Sequence, residues 1–164
     1  LKPYGRGYSW FDIDARRAER VERAGLEHAA DRVAALLARL TDVYPTSGRP
    51  VLTGFSQGGM IAFAVAVRHP TRIGVAIPLA GWLPVRLVPP GPPSAGAPPI
   101  YALHGADDPV LPLLPTMESV KGLRASGFTV DLEVYPATAH TVSPRMRRDL
   151  HRKIAEAVSL ESAR

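Results

Sequence analysis

Residues 51–68 read VLTGFSQGGMIAFAVAVR. Within and just before this stretch, the short apolar run 50–55 ends in glycine-rich sequence, and the apolar, helix-length segment Gln57–Arg68 follows. Apolar runs of these lengths, separated by glycine, predict a strand, a tight turn and a helix. Ser56 lies at the turn, so its surroundings are the first place to look for chemistry.

The turn carries the pattern G-x-S-x-G, with Ser56 between Gly54 and Gly58. A serine on so sharp a strand-to-helix turn sits in strained backbone, with its hydroxyl raised above the sheet. Side chains two residues to either side are expected to collide with the neighbouring strand or helix, which explains glycine at both positions. The alternative is an ordinary turn serine, but nothing structural requires serine between two such glycines. The pattern therefore predicts Ser56 as a nucleophile.

Strands and helices alternate along the rest of the chain. Apolar periodicity predicts further strands at 73–80, 100–104 and 128–135, and helices at 14–40, at 114–126 and from Pro144 onward. The proline-dense stretch 82–99 must be loop, because proline cannot continue regular structure. Alternating strands and helices predict an α/β fold with a parallel sheet covered by helices on both faces. We expect residues 1–164 to form one such domain.

A serine hydroxyl needs a base to take its proton and an acid to orient that base. His140 lies in the loop after the last predicted strand, and Asp107 and Asp108 follow the strand before it. These positions fall at or past the carboxyl ends of strands, where sites of parallel sheets form. Spacing does not separate Asp107 from Asp108, and an exposed loop histidine is the alternative for His140. The other histidines, among them His104 at a strand end, occupy commonplace structural positions.

Composition excludes several other classes of protein. The formal net charge is +5, but the arginines of 16–23 are interspersed with glutamates, which indicates a solvated helix face rather than a nucleic-acid site. The chain has no cysteine, which excludes disulfides and thiolate chemistry and favours a cytoplasmic location. No apolar run approaches the roughly 20 residues that a membrane-spanning helix needs, so we expect no stable membrane insertion.

Several segments resemble the phospholipase/carboxylesterase family of α/β-hydrolases, which includes acyl-protein thioesterases and bacterial carboxylesterases. The segments are S-W-F-D at 9–12, G-F-S-Q-G-G at 54–59, G-W-L-P at 81–84, H-G-A-D-D-P-V-L-P at 104–112 and A-H at 139–140. The resemblance implies the α/β-hydrolase fold. In the family the acid directly precedes a proline, so the resemblance assigns that role to Asp108.

The resemblance also implies a function. It suggests a serine carboxylic-ester hydrolase of the carboxylesterase, lysophospholipase or acyl thioesterase type, with Ser56, His140 and Asp108 as its triad and no metal or other cofactor. The backbone amide of Gln57 would be one donor to the oxyanion, and loops beside the triad would supply an apolar wall for the acyl chain. The residues of that wall would be Trp82, Leu83, Val110 and Leu111, with ordinary loop packing as the alternative for each of them.

The family begins with further strands and a loop that supplies a second oxyanion donor, whereas this chain opens at Leu1 without them. We therefore expect an N-terminally truncated form of the fold. The alternatives are another α/β-hydrolase, such as a lactone hydrolase or peptidase, and a catalytically inactive truncated domain. The expected partner is a small-molecule acyl ester or thioester, and a homodimer is left open.

Overall fold

The computed structural model describes residues 2–4, 7–11, 23–44 and 47–162. No helix within these ranges is both long and apolar enough to cross a membrane. The strands and α-helices are β1 (Lys2–Tyr4), β2 (Gly7–Ser9), α1 (Arg23–Val43), β3 (Val51–Phe55), α2 (Gln57–Arg68), β4 (Val75–Leu79), β5 (Ile100–Gly105), α3 (Leu113–Ala125), β6 (Val130–Tyr135) and α4 (Pro144–Ser162). Short 3₁₀ helices lie at Pro70–Arg72 and at Val85–Leu87, the second within the stretch predicted to be loop.

Strands β3, β4, β5 and β6 form one parallel sheet and lie side by side in chain order. Because all four run the same way, their carboxyl ends meet at one edge of the sheet. The predicted parallel sheet is confirmed. Strands β1 and β2 form a separate antiparallel pair that the sequence analysis did not predict.

Side chains alternate between the two faces of the sheet, and each face is covered by helices. On one face Val75, Ile77 and Leu79 of β4 cluster with Met146 and Ala157 of α4. Alternate residues of the same strand and of β5 join a second cluster, which includes residues of α1, α2 and α3. Since every residue of β4 is buried, this strand is apolar throughout rather than alternating. Helices on both faces were predicted and are confirmed.

The predicted element bounds agree with the structure to within a few residues. Helix α3 ends as expected, because Gly127 takes a φ of +88° just past the capping residue Ser126. Strand β4 begins at Val75, two residues later than predicted. In α4, Met146 and Ala157 are buried, whereas Val158 is 50% exposed. The predicted helical residues 14–22 lie outside the described residues.

The glycines around Ser56 differ in what they do. A Cβ on Gly54 would overlap the backbone carbonyl of Gly58, as expected for a tight turn. A Cβ on Gly58 itself, however, would meet nothing within 4 Å among the described residues, so the predicted collision at this position is wrong. The close approach occurs one residue later, where a Cβ on Gly59 would lie 2.5 Å from the carbonyl oxygen of Leu79.

These contacts predict different effects on stability for two neighbouring substitutions in α2. Gly59→Ala should lower the free energy of unfolding by about 1–3 kcal/mol, because the added methyl displaces the Leu79 carbonyl, which accepts the Ser56 N–H. Gly58→Ala is the matched control and should be neutral or stabilising by up to about 1 kcal/mol, since alanine favours helix over glycine. Urea denaturation measures both, and equal effects at the two positions would contradict the packing described here.

Candidate active site

Ser56 occupies the turn between β3 and α2 in a conformation that few residues adopt. Its φ is 57° and its ψ is −117°, so the backbone is strained. The turn is held by backbone bonds on both sides: Ser56 N–H donates to Leu79 O at 3.0 Å, and Met60 N–H donates to Ser56 O at 3.0 Å. Serine at a helix N-cap ordinarily accepts a backbone N–H through its hydroxyl, but here the hydroxyl makes no such bond. It is left for a different partner.

That partner is His140. The ring Nε2 lies 3.0 Å from Ser56 Oγ, and Nδ1 lies 2.7 Å from Asp108 Oδ2. Because an ionised carboxylate only accepts, Nδ1 carries the hydrogen and Nε2 is free to accept the serine proton. The ring also packs against Phe55, with 4.7 Å between ring centroids. The geometry is that of a nucleophile, a base and a group that orients the base.

Asp108 is the acid that contacts His140, and its side chain has no exposed surface. Its second oxygen, Oδ1, accepts the backbone N–H groups of Val110 at 2.9 Å and Leu111 at 2.8 Å. Three donors therefore compensate the burial of the carboxylate. The neighbouring Asp107, which sequence spacing left as a competitor, has an exposed side chain and contributes a backbone N–H instead.

The loops that carry Asp108 and His140 are tied directly to each other. Asp107 N–H donates to Thr138 O at 3.1 Å, and Ala106 N–H donates to Tyr135 O at 2.9 Å. A Cβ on Gly105 would overlap the Thr138 carbonyl, so glycine is required where the two loops cross. These backbone contacts set the separation between Asp108 and His140.

Sequence reasoning gave His104 no part in the site, but its ring lies directly behind Asp108. His104 is fully buried, with Nε2 2.8 Å from Leu111 O and Nδ1 3.0 Å from Thr116 Oγ1. Burial lowers the pKa of His104, because the interior disfavours the charged ring, although the Leu111 carbonyl and Asp108 act in the opposite direction. The signal in the sequence that could have indicated this contact was the position of His104 four residues before Asp108.

Gln57 was predicted for its backbone amide alone, yet its side chain is also engaged. The amide lies in the first turn of α2, where N–H groups have no acceptor within the helix. The side chain accepts the N–H of Trp10 at 2.9 Å and donates to the carbonyl of Phe11, also at 2.9 Å. It thereby fastens the S-W-F segment beside Ser56. The fourth residue of that motif, Asp12, lies outside the described residues.

The four residues predicted to line the acyl wall have different surroundings. Leu83 is fully buried, and Leu111 and Trp82 are 4% and 6% exposed and belong to the core. Trp82 Nε1 is the one buried side-chain polar atom without a hydrogen-bond partner among the described residues. Val110 is 57% exposed, two residues past Asp108, and is the member of the set that presents a large apolar surface to solvent.

A cleft of about 360 Å³ lies between the end of α1, the start of β3 and the end of α4. It is at the amino end of β3, so the strand of five residues separates it from Ser56 by about 16 Å. We therefore do not assign it to the Ser56 site. Within the described ranges, no group of three or more His, Asp or Glu side chains is placed to hold a metal ion.

Comparison with known proteins gives consistent results. The family model described as phospholipase/carboxylesterase matches residues 2–158. The chain is 30% identical to acyl-protein thioesterase 1 of Mycosarcoma maydis, over 87% of this chain and 66% of that protein. It is 24% identical to carboxylesterase SOBER1 of Arabidopsis thaliana, over 82% and 61% respectively. The chain thus spans slightly less than two thirds of these relatives. The crystal structure of esterase PE8 matches with a TM-score of 0.74 and 26% identity, covering 92% of this chain and 71% of that chain.

The contrast between the two aspartates yields a prediction about the reactivity of Ser56. Asp108→Asn should slow covalent labelling by a fluorophosphonate by about 10⁴-fold, because an amide opposite Nδ1 favours the tautomer that cannot accept the serine proton. Asp107→Asn is the matched control and should stay within about twofold, since its side chain is exposed. Labelling rates measured by mass spectrometry test this, and the reverse ranking would move the acid role to Asp107.

Proposed function

Because the chain belongs to the phospholipase/carboxylesterase family, we propose that it is a serine hydrolase that cleaves acyl esters or thioesters through a Ser-His-Asp triad. The observation that carries the proposal is the hydrogen-bonded series from Ser56 Oγ through His140 to Asp108, with distances of 3.0 and 2.7 Å. The strained backbone at Ser56, which keeps its hydroxyl from capping the helix, supports the same role.

In the first half of the reaction, His140 Nε2 takes the hydroxyl proton while Ser56 Oγ bonds to the acyl carbonyl carbon. Negative charge then develops on the carbonyl oxygen. The Gln57 N–H, at the amino end of α2, is the donor we assign to that oxyanion, because the helix dipole favours negative charge there. The imidazolium that forms is stabilised by the Asp108 carboxylate, which lies 2.7 Å from its Nδ1.

To complete acylation, His140 gives its proton to the departing alkoxide or thiolate as the carbon–oxygen or carbon–sulfur bond breaks. The acyl group remains on Ser56 as an ester. His140 then takes a proton from water, the resulting hydroxide attacks the acyl carbon, and the proton returns to Ser56 as the carboxylic acid leaves. One base thus serves both halves.

An apolar acyl group suits the surroundings of the triad. Val110 exposes its side chain beside the acid, and Phe55, which is 38% exposed, packs on the histidine ring. An acyl chain in contact with Val110 and Phe55 would bury apolar surface, and the leaving group would then point toward solvent.

Removal of either reacting group should abolish hydrolysis. Ser56→Ala and His140→Ala should each lower the turnover of a short chromogenic ester by about 10⁶-fold, because triad members act as a unit. The far-ultraviolet circular dichroism should be unchanged in both. Retention of a rate within about tenfold of the parent by either variant would refute the triad.

The leaving group separates the proposed activity from its rivals on the same fold. Matched p-nitrophenyl ester, thioester, lactone and anilide substrates should be cleaved with the acyclic ester and thioester ahead of the other two. Preferred hydrolysis of the lactone would indicate a lactone hydrolase, and preferred cleavage of the anilide a peptidase. Hydrolysis of none, together with no fluorophosphonate labelling of Ser56, would indicate an inactive domain.

A further inference from the structure

His104 is a buried histidine for which the proposed reaction has no task. It lies near the end of β5 and has no exposed surface. Its ring nitrogens contact two different segments: Leu111 in the loop that carries the acid, and Thr116 in α3. Thr116 is also fully buried, and its Oγ1 lies 2.9 Å from Gly81 O, in the loop after β4. One ring therefore joins the sheet to the surroundings of the triad.

The hydrogen-bond partners fix which nitrogen carries the hydrogen. The carbonyl of Leu111 can only accept, so Nε2 of His104 must donate. Burial keeps the ring neutral, which leaves a lone pair on Nδ1. The Thr116 hydroxyl has a single proton and two acceptors within reach, Gly81 O at 2.9 Å and Nδ1 at 3.0 Å. The donor bond to Leu111 is thus the one that His104 itself supplies.

The hydrogen bond from His104 to Leu111 connects His104 to Asp108 through a single residue. Leu111 accepts from His104 at its carbonyl and donates from its own N–H to Asp108 Oδ1, both at 2.8 Å. The direct separation between His104 Nε2 and Asp108 Oδ2 is 3.7 Å, too long for a hydrogen bond. His104 therefore reaches the carboxylate by holding Leu111.

We propose that His104 is a positioning residue: as the neutral Nε2–H tautomer it anchors Leu111, and so fixes the Asp108 carboxylate at the distance from His140 that the triad requires. The inference rests on the proposed function, since it gives Asp108 its catalytic task. Loss of the anchor lets the acid loop relax, and misplacement of a catalytic group by about 1 Å lowers turnover about 100-fold.

Three substitutions of His104 distinguish the effect of losing its N–H donor from the effect of losing the volume of its ring. His104→Phe keeps the ring shape without a donor. His104→Gln places an amide near the position of Nε2 and can donate to Leu111, whereas the shorter side chain of His104→Asn reaches only the position of Nδ1. We expect kcat to fall about 10- to 100-fold for Phe and Asn, with KM within about twofold, and to recover largely for Gln. His151→Phe, on the exposed side of α4, is the matched control and should leave kcat unchanged.

A double-mutant cycle tests whether the effect passes through the acid. In an Asp108→Asn background, His104→Phe should lower kcat no further than about twofold, because the group that it positions is already gone. A purely structural loss would instead multiply with the loss at Asp108. If the Phe variant does not fold, the same cycle is made with Asn and Gln.

A spectroscopic readout makes the test independent of turnover. The proton between His140 Nδ1 and Asp108 should give a low-field proton resonance, which can be followed in the inactive Ser56→Ala protein. Replacement of His104 by Phe or Asn should shift or broaden it, and Gln should restore it. An unchanged resonance and kcat in the Asn variant, or multiplicative losses in the cycle, would overturn the role of His104. Activity surviving in Ser56→Ala would refute the proposed function instead, while the resonance would still decide the positioning role.

Discussion

The structure around the site depends on how closely backbone segments approach one another at the turn after β3. A Cβ on Gly59 would press on Leu79 O, and a Cβ on Gly81 would lie 2.7 Å from the backbone of Gly59. The start of α2 is therefore in direct contact with the end of β4. This contact lets Ser56 N–H reach Leu79 O, and it holds a φ of +57° that costs about 1–3 kcal/mol. Burial of residues 59–66 of α2 offsets that cost.

At the same edge of the sheet, backbone hydrogen bonds between neighbouring chain segments continue for one residue beyond the strands. The residue after a strand donates to the neighbouring strand in three places: Ser56 to Leu79 at 3.0 Å, Ala80 to Leu103 at 2.9 Å and Ala106 to Tyr135 at 2.9 Å. Phe55, Leu79 and Leu103 are level in the register, and β5 continues to Gly105, so the loop that carries Asp108 starts two residues further along the strand direction than the turn at Ser56. Short loops from such a rigid edge are sufficient to bring side chains separated by 84 residues in sequence within hydrogen-bond distance.

The extent to which sequence predicts this arrangement follows from the range of the interactions. Strands, helices and the turn at Ser56 depend on local interactions, so apolar periodicity and glycine indicated them. The positions of Ser56, Asp107, Asp108 and His140 at or past the ends of predicted strands indicated that these residues meet at one edge of the sheet. The choice between two adjacent aspartates is a matter of orientation, which spacing does not encode and the resemblance supplied. The place of His104 depends on contacts with Leu111 and Thr116 that only the folded chain creates.

Gln57 shows how a residue beside a nucleophile can meet two demands. The hydrolysis proposed at Ser56 would need a backbone N–H that the helix does not use, and the first turn of a helix supplies one. The segment that contains Trp10 and Phe11 has unpaired backbone groups of its own, which must be satisfied where Phe11 is buried. The side-chain amide has both a donor and an acceptor, so it pairs with one N–H and one carbonyl as a strand would. Glutamate could still accept the Trp10 N–H, but its negative charge would repel the Phe11 carbonyl. The shorter side chain of asparagine would reach neither group. The amide of Gln57 is thus suited to join this segment to the turn while its backbone N–H stays outside the helical ladder.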